Sequence, residues 1–166
     1  WWRYGPTASD FDHEDVTPNF FEKAKSFIRN AVKKNKPFFL YLPLPSPHTP
    51  ILPLKKWQGK SGLNSYADFV MQIDNHIGEL DTLLEELNIS NNTIVIFTSD
   101  NGCSPQANFN LLSEKGHHPS GNFRGYKADI FEGGHRVPFI IKWPKKIQAW
   151  SSSDKIICTT DLIATC

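Results

Sequence analysis

Thr93-Ile94-Val95-Ile96-Phe97-Thr98-Ser99-Asp100-Asn101-Gly102 is the stretch from which the rest of this chain can be read. Its first half is apolar and β-branched, the pattern of a short strand buried on both faces of a mostly parallel sheet. The run ends at two oxygen-bearing side chains, Asp100 and Asn101, and Gly102 then allows the backbone a tight turn. In open α/β sheets, ligands bind outside the carboxyl ends of the strands. A carboxylate beside a carboxamide at that edge suits a hard cation such as Ca2+ or Mg2+. The same pair equally suits an Asx-turn that merely closes the strand.

Upstream, Phe38 to Leu44 forms a second short apolar run, expected to be another buried strand. Pro45, Pro47, Pro50 and Pro53 follow and stiffen the loop that carries His48, which makes His48 cheaper to hold in place. A lone loop histidine is commonly structural or merely exposed, but this one leaves a core strand at the same edge as Asp100. Between the two strands, Ser65 and Asp68 resemble a capping box. Tyr66, Phe69, Val70, Ile73, Ile77, Leu80, Leu83, Leu84 and Leu87 continue as the apolar stripe of a helix, with His76 expected on its solvated face. Strand, helix and strand predict a right-handed βαβ unit joining 38–44 to 93–98, which brings His48 and Asp100 to one rim. An earlier helix is expected from Thr17-Pro18 as cap and first turn, ending in Lys33, Lys34 and Lys36 before Pro37. Residues 1–16 read as loop.

Downstream, the polar segment from Cys103 to Gly125 reads as a long binding loop or lid. Its adjacent His117 and His118 have no further Cys or His at ligand spacing, so exposed histidines are the expectation. Gly133-Gly134 lies among charged residues, and Arg124, Lys127 and Arg136 either gather positive charge near Asp100 or decorate a surface hairpin. Pro138 to Trp143 is expected to be a strand and Lys155 to Cys158 another. Asp161 to Cys166 reads as the first turn or two of a helix.

With 166 residues the chain suits one domain, and its formal charge of +1 makes no whole-chain case for nucleic acid or an anionic membrane. No apolar run approaches a membrane span. The three cysteines, Cys103, Cys158 and Cys166, define neither a disulfide framework nor a metal motif. Two glycosylation triplets start at Asn88 and Asn91, and they carry meaning only in a eukaryotic secretory protein.

Four blocks together resemble the sulfatase family of the alkaline-phosphatase-like superfamily, and most closely its arylsulfatase type: PFFLYLPLPSPHTP at 37–50, YADFVMQIDNHIGEL at 66–80, NTIVIFTSDNG at 92–102 and GYKADIFEGGHRVPF at 125–139. The resemblance implies an α/β fold, part of a three-layer sandwich with a mostly parallel sheet. It also implies that residues 1–166 are the C-terminal part of the catalytic domain, with the nucleophile-bearing N-terminal part and a small C-terminal domain lying outside them. Asp100 and Asn101 match a pair of ligands to Ca2+, or Mg2+ in some members. Lys127 matches a lysine contacting sulfate and leaving-group oxygens, and His48 a histidine near the scissile ester oxygen. The implied reaction is sulfate-ester hydrolysis by a formylglycine made from Cys or Ser in a C-x-P-S-R-like motif, which this chain lacks, so the chain alone is expected to be inactive. A sulfate ester, sulfated glycan among the candidates, is the implied partner. A secreted, periplasmic or lysosomal location is the implied setting. Two rivals stand beside this: a phosphodiesterase or phosphonate monoester hydrolase of the same superfamily, and a pseudo-enzyme that binds sulfated glycan without cleaving it.

Overall fold

A computed structural model describes residues 5–165. In chain order its elements are α1 (Val16–Lys33), α2 (Ser65–Glu86), β1 (Val95–Thr98), α3 (Phe109–Glu114), α4 (Glu132–His135), β2 (Phe139–Lys142) and α5 (Asp161–Thr165). The architecture is α/β. Two long helices follow from the three-and-four spacing: α1 buries Thr17, Phe21, Ala24 and Ile28, and α2 buries Phe69, Ile73, Leu83 and Leu84 on the facing side. The core centres on Ile28, Leu83 and Leu84, with Val32, Phe38, Leu40, Leu87 and Val95 packed around them. Each fully buried side chain of this size contributes about 1.5–3 kcal/mol. Lys25 bridges the helices, its Nζ 2.5 Å from Glu22 and 3.0 Å from Glu79.

The helix starts differ from the sequence expectation. Asp15, not Thr17, occupies the N-cap of α1 and makes no side-chain cap bond, while Thr17 is buried and its hydroxyl donates to Ser46 Oγ at 3.0 Å. Asn64 caps α2 by accepting from the Ala67 N–H, which leaves Ser65 as the first helical residue. Asp68 is therefore free for another task. Its two carboxylate oxygens accept from the Gly59 and Ser61 N–H groups, each at 2.8 Å, fastening the preceding loop to the helix.

The polar residues Asp68, Gln72 and His76 recur every fourth position and form a buried polar line along α2. Gln72 Oε1 accepts from the Leu54 N–H at 2.8 Å. His76, expected in solvent, is 6% exposed; its ring stacks on Phe21 at 4.7 Å and its Nδ1 lies 3.3 Å from Glu79. The 53–61 loop and α1 cover this line, so the buried arc of α2 is wider than its apolar stripe.

Burial pushes the Asp68 carboxyl up, but bonds from Ser61 and Gly59 outweigh it and hold its pKa below the ordinary carboxylate range. A depressed folded pKa adds stability above the unfolded value and forfeits it as pH falls through the folded value. The stability margin of wild type over Asp68→Asn, measured by urea denaturation of the full-length protein, is expected to be about 2 kcal/mol near neutrality. It should shrink progressively below about pH 4. A margin that does not change with pH would show the carboxylate to be irrelevant.

β1 and β2 form a two-stranded antiparallel sheet with Val95 opposite Lys142 and Thr98 opposite Phe139. Lys142 fastens the sheet to α2, its Nζ 2.5 Å from Asp81 and 3.4 Å from Glu85, and the Asp81 bond raises its pKa. The mostly parallel sheet is thus not seen among the described residues. Residues 38–44 show why: Phe38 and Leu40 pack on the core while Phe39 and Tyr41 are each 77% exposed, yet no ladder bonds join them to β1. Alternating side chains specify an extended backbone, not a partner or a direction. No βαβ unit forms. Residues 155–158, expected as a strand, are exposed and unpaired in any ladder. The segment read as one long loop holds a 3-10 turn at Pro105–Ala107 and α3, whose Leu112 is fully buried. Asn108 caps α3 from the left-handed region at φ +61°. Trp1 to Tyr4 and Cys166, parts of two expected segments, lie outside the described residues.

Candidate active site

Where β1 ends, its backbone is clasped by the glycine-rich segment that precedes β2. The Gly102 N–H donates to Gly134 O at 2.8 Å, the Gly133 N–H to Arg124 O at 2.8 Å, and the Lys127 N–H to Cys103 O at 2.9 Å. This approach is possible only because the partners lack Cβ atoms. A Cβ on Gly102 would overlap Gly133 O, one on Gly133 would overlap Gly125 O, and one on Gly134 would overlap Asp129 O. Gly125 itself sits at φ +89°, in the region that favours glycine.

The clasp ties the Lys127 backbone to Cys103, two residues past Asn101 on the segment leaving β1. The Asp100 side chain is exposed and accepts no hydrogen bond from a described residue. Asn101 Nδ2 donates to Gly102 O at 3.1 Å, which leaves Oδ1 unengaged, and its backbone carbonyl accepts from Ser99 Oγ at 2.9 Å. A carboxylate oxygen and a carboxamide oxygen are the hard donors that Ca2+ and Mg2+ select. Among the described residues no group of three or more His, Cys, Asp or Glu side chains is placed to hold a metal.

Lys127 is half-buried, and its ammonium makes no ion pair among the described residues. Next to it, Cys103 shares a hydrogen bond with Tyr66 at the start of α2. Burial, chiefly, pushes the pKa of both groups up, so both stay neutral. Cys103 is therefore a poor nucleophile.

His48 is brought to a separate loop. No hydrogen bond or ion pair joins it to Asp100, Asn101 or Lys127 among the described residues. Its Nδ1 donates to Thr49 O at 2.9 Å, with Thr49 Oγ1 at 3.2 Å. This tautomer leaves the exposed Nε2 with the lone pair. His117 and His118 are exposed beyond α3. A cleft of about 550 Å³ between α1 and α2, lined by Lys25, Arg29 and Glu79 among others, includes none of the four candidate residues.

The rim of the clasp is basic and aromatic. The Arg124 guanidinium lies over the Phe131 ring at 3.7 Å from its centroid, and that of Arg136 over Phe123 at 4.8 Å. Arg136 also pairs with Glu132 at 2.8 Å. The sequence located the paired glycines but not their partners. The signal was present in Gly102, a third small residue placed directly after the Asp-Asn pair.

A family model described as Sulfatase matches residues 2–166. An N-acetylgalactosamine-6-O-sulfatase of Bacteroides thetaiotaomicron is 40% identical over 153 residues, covering 89% of this chain and 29% of the relative. The N-acetylgalactosamine-6-sulfatase of Canis lupus familiaris is 36% identical over 152 residues, covering 91% and 28%. A solved Bacteroides thetaiotaomicron structure, described under the metabolism of multiple glycosaminoglycans, superposes with a TM-score of 0.75 at 41% identity, over 83% of this chain and 29% of that one. The chain thus spans less than a third of the length of these relatives.

Proposed function

The chain belongs to the sulfatase family, and on that premise we propose that the full-length protein carrying it hydrolyses sulfate monoesters to an alcohol and inorganic sulfate. We place the chain in the C-terminal part of the catalytic domain, an alkaline-phosphatase-like sandwich in which further strands extend the two-stranded sheet. The observation that carries the reading is the glycine clasp, which ties the Lys127 backbone to Cys103, two residues past Asn101, while the Lys127 ammonium makes no ion pair and the Asp100 carboxylate accepts no hydrogen bond among the described residues. The relatives reported above are named as sulfatases, which favours sulfate over a phosphodiester and hydrolysis over mere glycan binding.

Cleavage of the S–O bond builds negative charge on the sulfuryl oxygens and on the departing alcohol oxygen. Lys127 would stabilise that charge from its fixed position, and a protonated His48 would deliver its Nε2 proton to the leaving oxygen. Asp100 and Asn101 would hold Ca2+, with Mg2+ as the alternative. Bound there, the cation supplies Lewis-acid neutralisation of the sulfuryl group. The nucleophile, a formylglycine by the family resemblance, comes from outside these residues, because Cys103, Cys158 and Cys166 lack the Pro or Ala and the Arg of its motif. N-acetylgalactosamine 6-sulfate is the first substrate to try, from the names of the relatives. A secreted, periplasmic or lysosomal setting goes with the family, and no helix among the described residues is long and apolar enough to cross a membrane.

Purified full-length protein is expected to release inorganic sulfate from that sugar or from an aryl sulfate, to stop when treated with chelator and to recover with added Ca2+. Faster hydrolysis of an aryl phosphodiester than of any sulfate ester would overturn the reading. The 166-residue chain alone is expected to release none, and metal-dependent turnover by it would refute the need for an outside nucleophile.

A further inference from the structure

The reaction as written uses Lys127 and leaves Arg124, three residues earlier, without a task. Between residues 115 and 136 there are four Lys or Arg residues and two carboxylates. The carboxylates are engaged: Glu132 pairs with Arg136 at 2.8 Å, and Asp129 Oδ2 accepts the Tyr126 N–H at 3.0 Å. Lys115 is engaged too, its Nζ donating to the Gly62 carbonyl at 2.9 Å and to that of Leu63. Arg124 and Lys127 therefore stand as uncompensated cations on one short segment.

Arg124 is exposed and lies over Phe131 at 3.7 Å. Stacking on a ring holds a guanidinium at its face and leaves the in-plane N–H groups directed sideways, where they meet no acceptor among the described residues. A fork of N–H donors already held in place matches a planar or tetrahedral oxyanion in two parallel bonds. Phe123 and Tyr126 are each 41% exposed beside it, Phe123 carrying the Arg136 guanidinium on its ring and Tyr126 tilted against Phe109, so the surroundings of Arg124 are aromatic and partly open to solvent. The Cα atoms of Arg124 and Lys127 can be at most about 10 Å apart, roughly the span of one disaccharide.

We propose that Arg124, held over Phe131, binds a second oxyanion of a polyanionic oligosaccharide: a sulfate or a uronate carboxylate on a sugar neighbouring the one that carries the scissile ester. This rests on the sulfatase reading for the position of the first anion at Lys127. It makes the substrate a charged glycan chain rather than a small aryl or steryl ester.

The test compares wild type, Arg124→Ala and Arg124→Lys of the full-length protein on N-acetylgalactosamine 6-sulfate, a sulfated glycosaminoglycan tetrasaccharide and a uronate-free sulfated galactan tetrasaccharide. Arg124→Ala is expected to raise the ratio of tetrasaccharide KM to monosaccharide KM by about tenfold or more, the loss of one charge-assisted bond pair, with kcat held. Arg124→Lys should restore part of it, since charge returns without the fork. An effect on the glycosaminoglycan alone assigns a carboxylate, and one on both tetrasaccharides assigns a sulfate. An equal rise for monosaccharide and tetrasaccharides would overturn the proposal, because it would mark a merely structural arginine. Equilibrium binding of the same tetrasaccharides keeps the two readings apart. Binding weakened about tenfold in Arg124→Ala without any sulfate release by wild type would retain the oxyanion site and remove the sulfatase reading. Equal binding by wild type and Arg124→Ala would remove the site whatever the turnover.

Discussion

Asp100→Ala in the full-length protein is expected to lower kcat/KM for a sulfate ester by about a thousandfold, the scale on which one group stabilising transition-state charge is felt. Asp100→Asn should lose less and regain activity at raised Ca2+, because an oxygen donor remains while its charge is gone. Lys127→Ala belongs to the same experiment, at about a hundredfold to a thousandfold, with no rescue by Ca2+. Neither change removes a structural bond: the Asp100 carboxylate accepts none from a described residue, and the Lys127 tether to Cys103 runs through its backbone N–H. Thermal midpoints measured in chelator should therefore match wild type within the scatter of surface substitutions, about 0.5 kcal/mol. An active Asp100→Ala protein with an unaltered Ca2+ requirement would sink the cation assignment and return Asp100 to an Asx-turn.

Gly134→Ala is expected to destabilise by about 1–3 kcal/mol or more, as overpacking of a closed site does. Its Cβ would overlap Asp129 O and come within 2.8 Å of Tyr126 O. Those two atoms belong to one turn, closed by the Asp129 N–H to Tyr126 O bond at 2.9 Å, so they cannot simply rotate aside. Either this turn moves, carrying the neighbouring Lys127 with it, or the Gly102 to Gly134 bond breaks. Both routes disturb the backbone that carries Lys127, and on the proposed role of Lys127 a misplacement near 1 Å reduces turnover by about a hundredfold. The same chemical change at Gly78, within α2 and with nothing within 4 Å of a built Cβ, should instead stabilise by about 0.5–1 kcal/mol. Urea denaturation of the two variants separates the cases by sign. A neutral Gly134→Ala would show that the clasp yields and does not position Lys127.

Much of the local structure was legible in the residues. The three-and-four spacing of Phe21, Ala24 and Ile28, and of Phe69, Ile73 and Leu84, located both long helices, because side-chain period and backbone period are the same property. The β-branched run before Asp100 and the run after Pro138 both became strands. His76 was misplaced because helical spacing tells which residues share a face, while what covers that face comes from α1 and the 53–61 loop. Leu111 and Leu112 were overlooked within a polar segment, where a single buried leucine anchors a helix too short for periodicity to reveal.

The sequence by itself determined the helix and strand conformations, the oxygen pair at the end of β1 and the family, since each is written in neighbouring residues. Only the tertiary structure decided that β1 pairs antiparallel with β2, more than forty residues away, and that 38–44 stays outside the ladder. It alone decided that Asp68 fastens a loop instead of capping a helix, and that four glycines let two backbones approach closely enough to tie Lys127 to Cys103 on the segment that follows Asp100 and Asn101. The physical reason is the same in each case. A backbone N–H or carbonyl is chemically alike at every residue, so which partner it meets depends on packing between distant segments and not on local pattern.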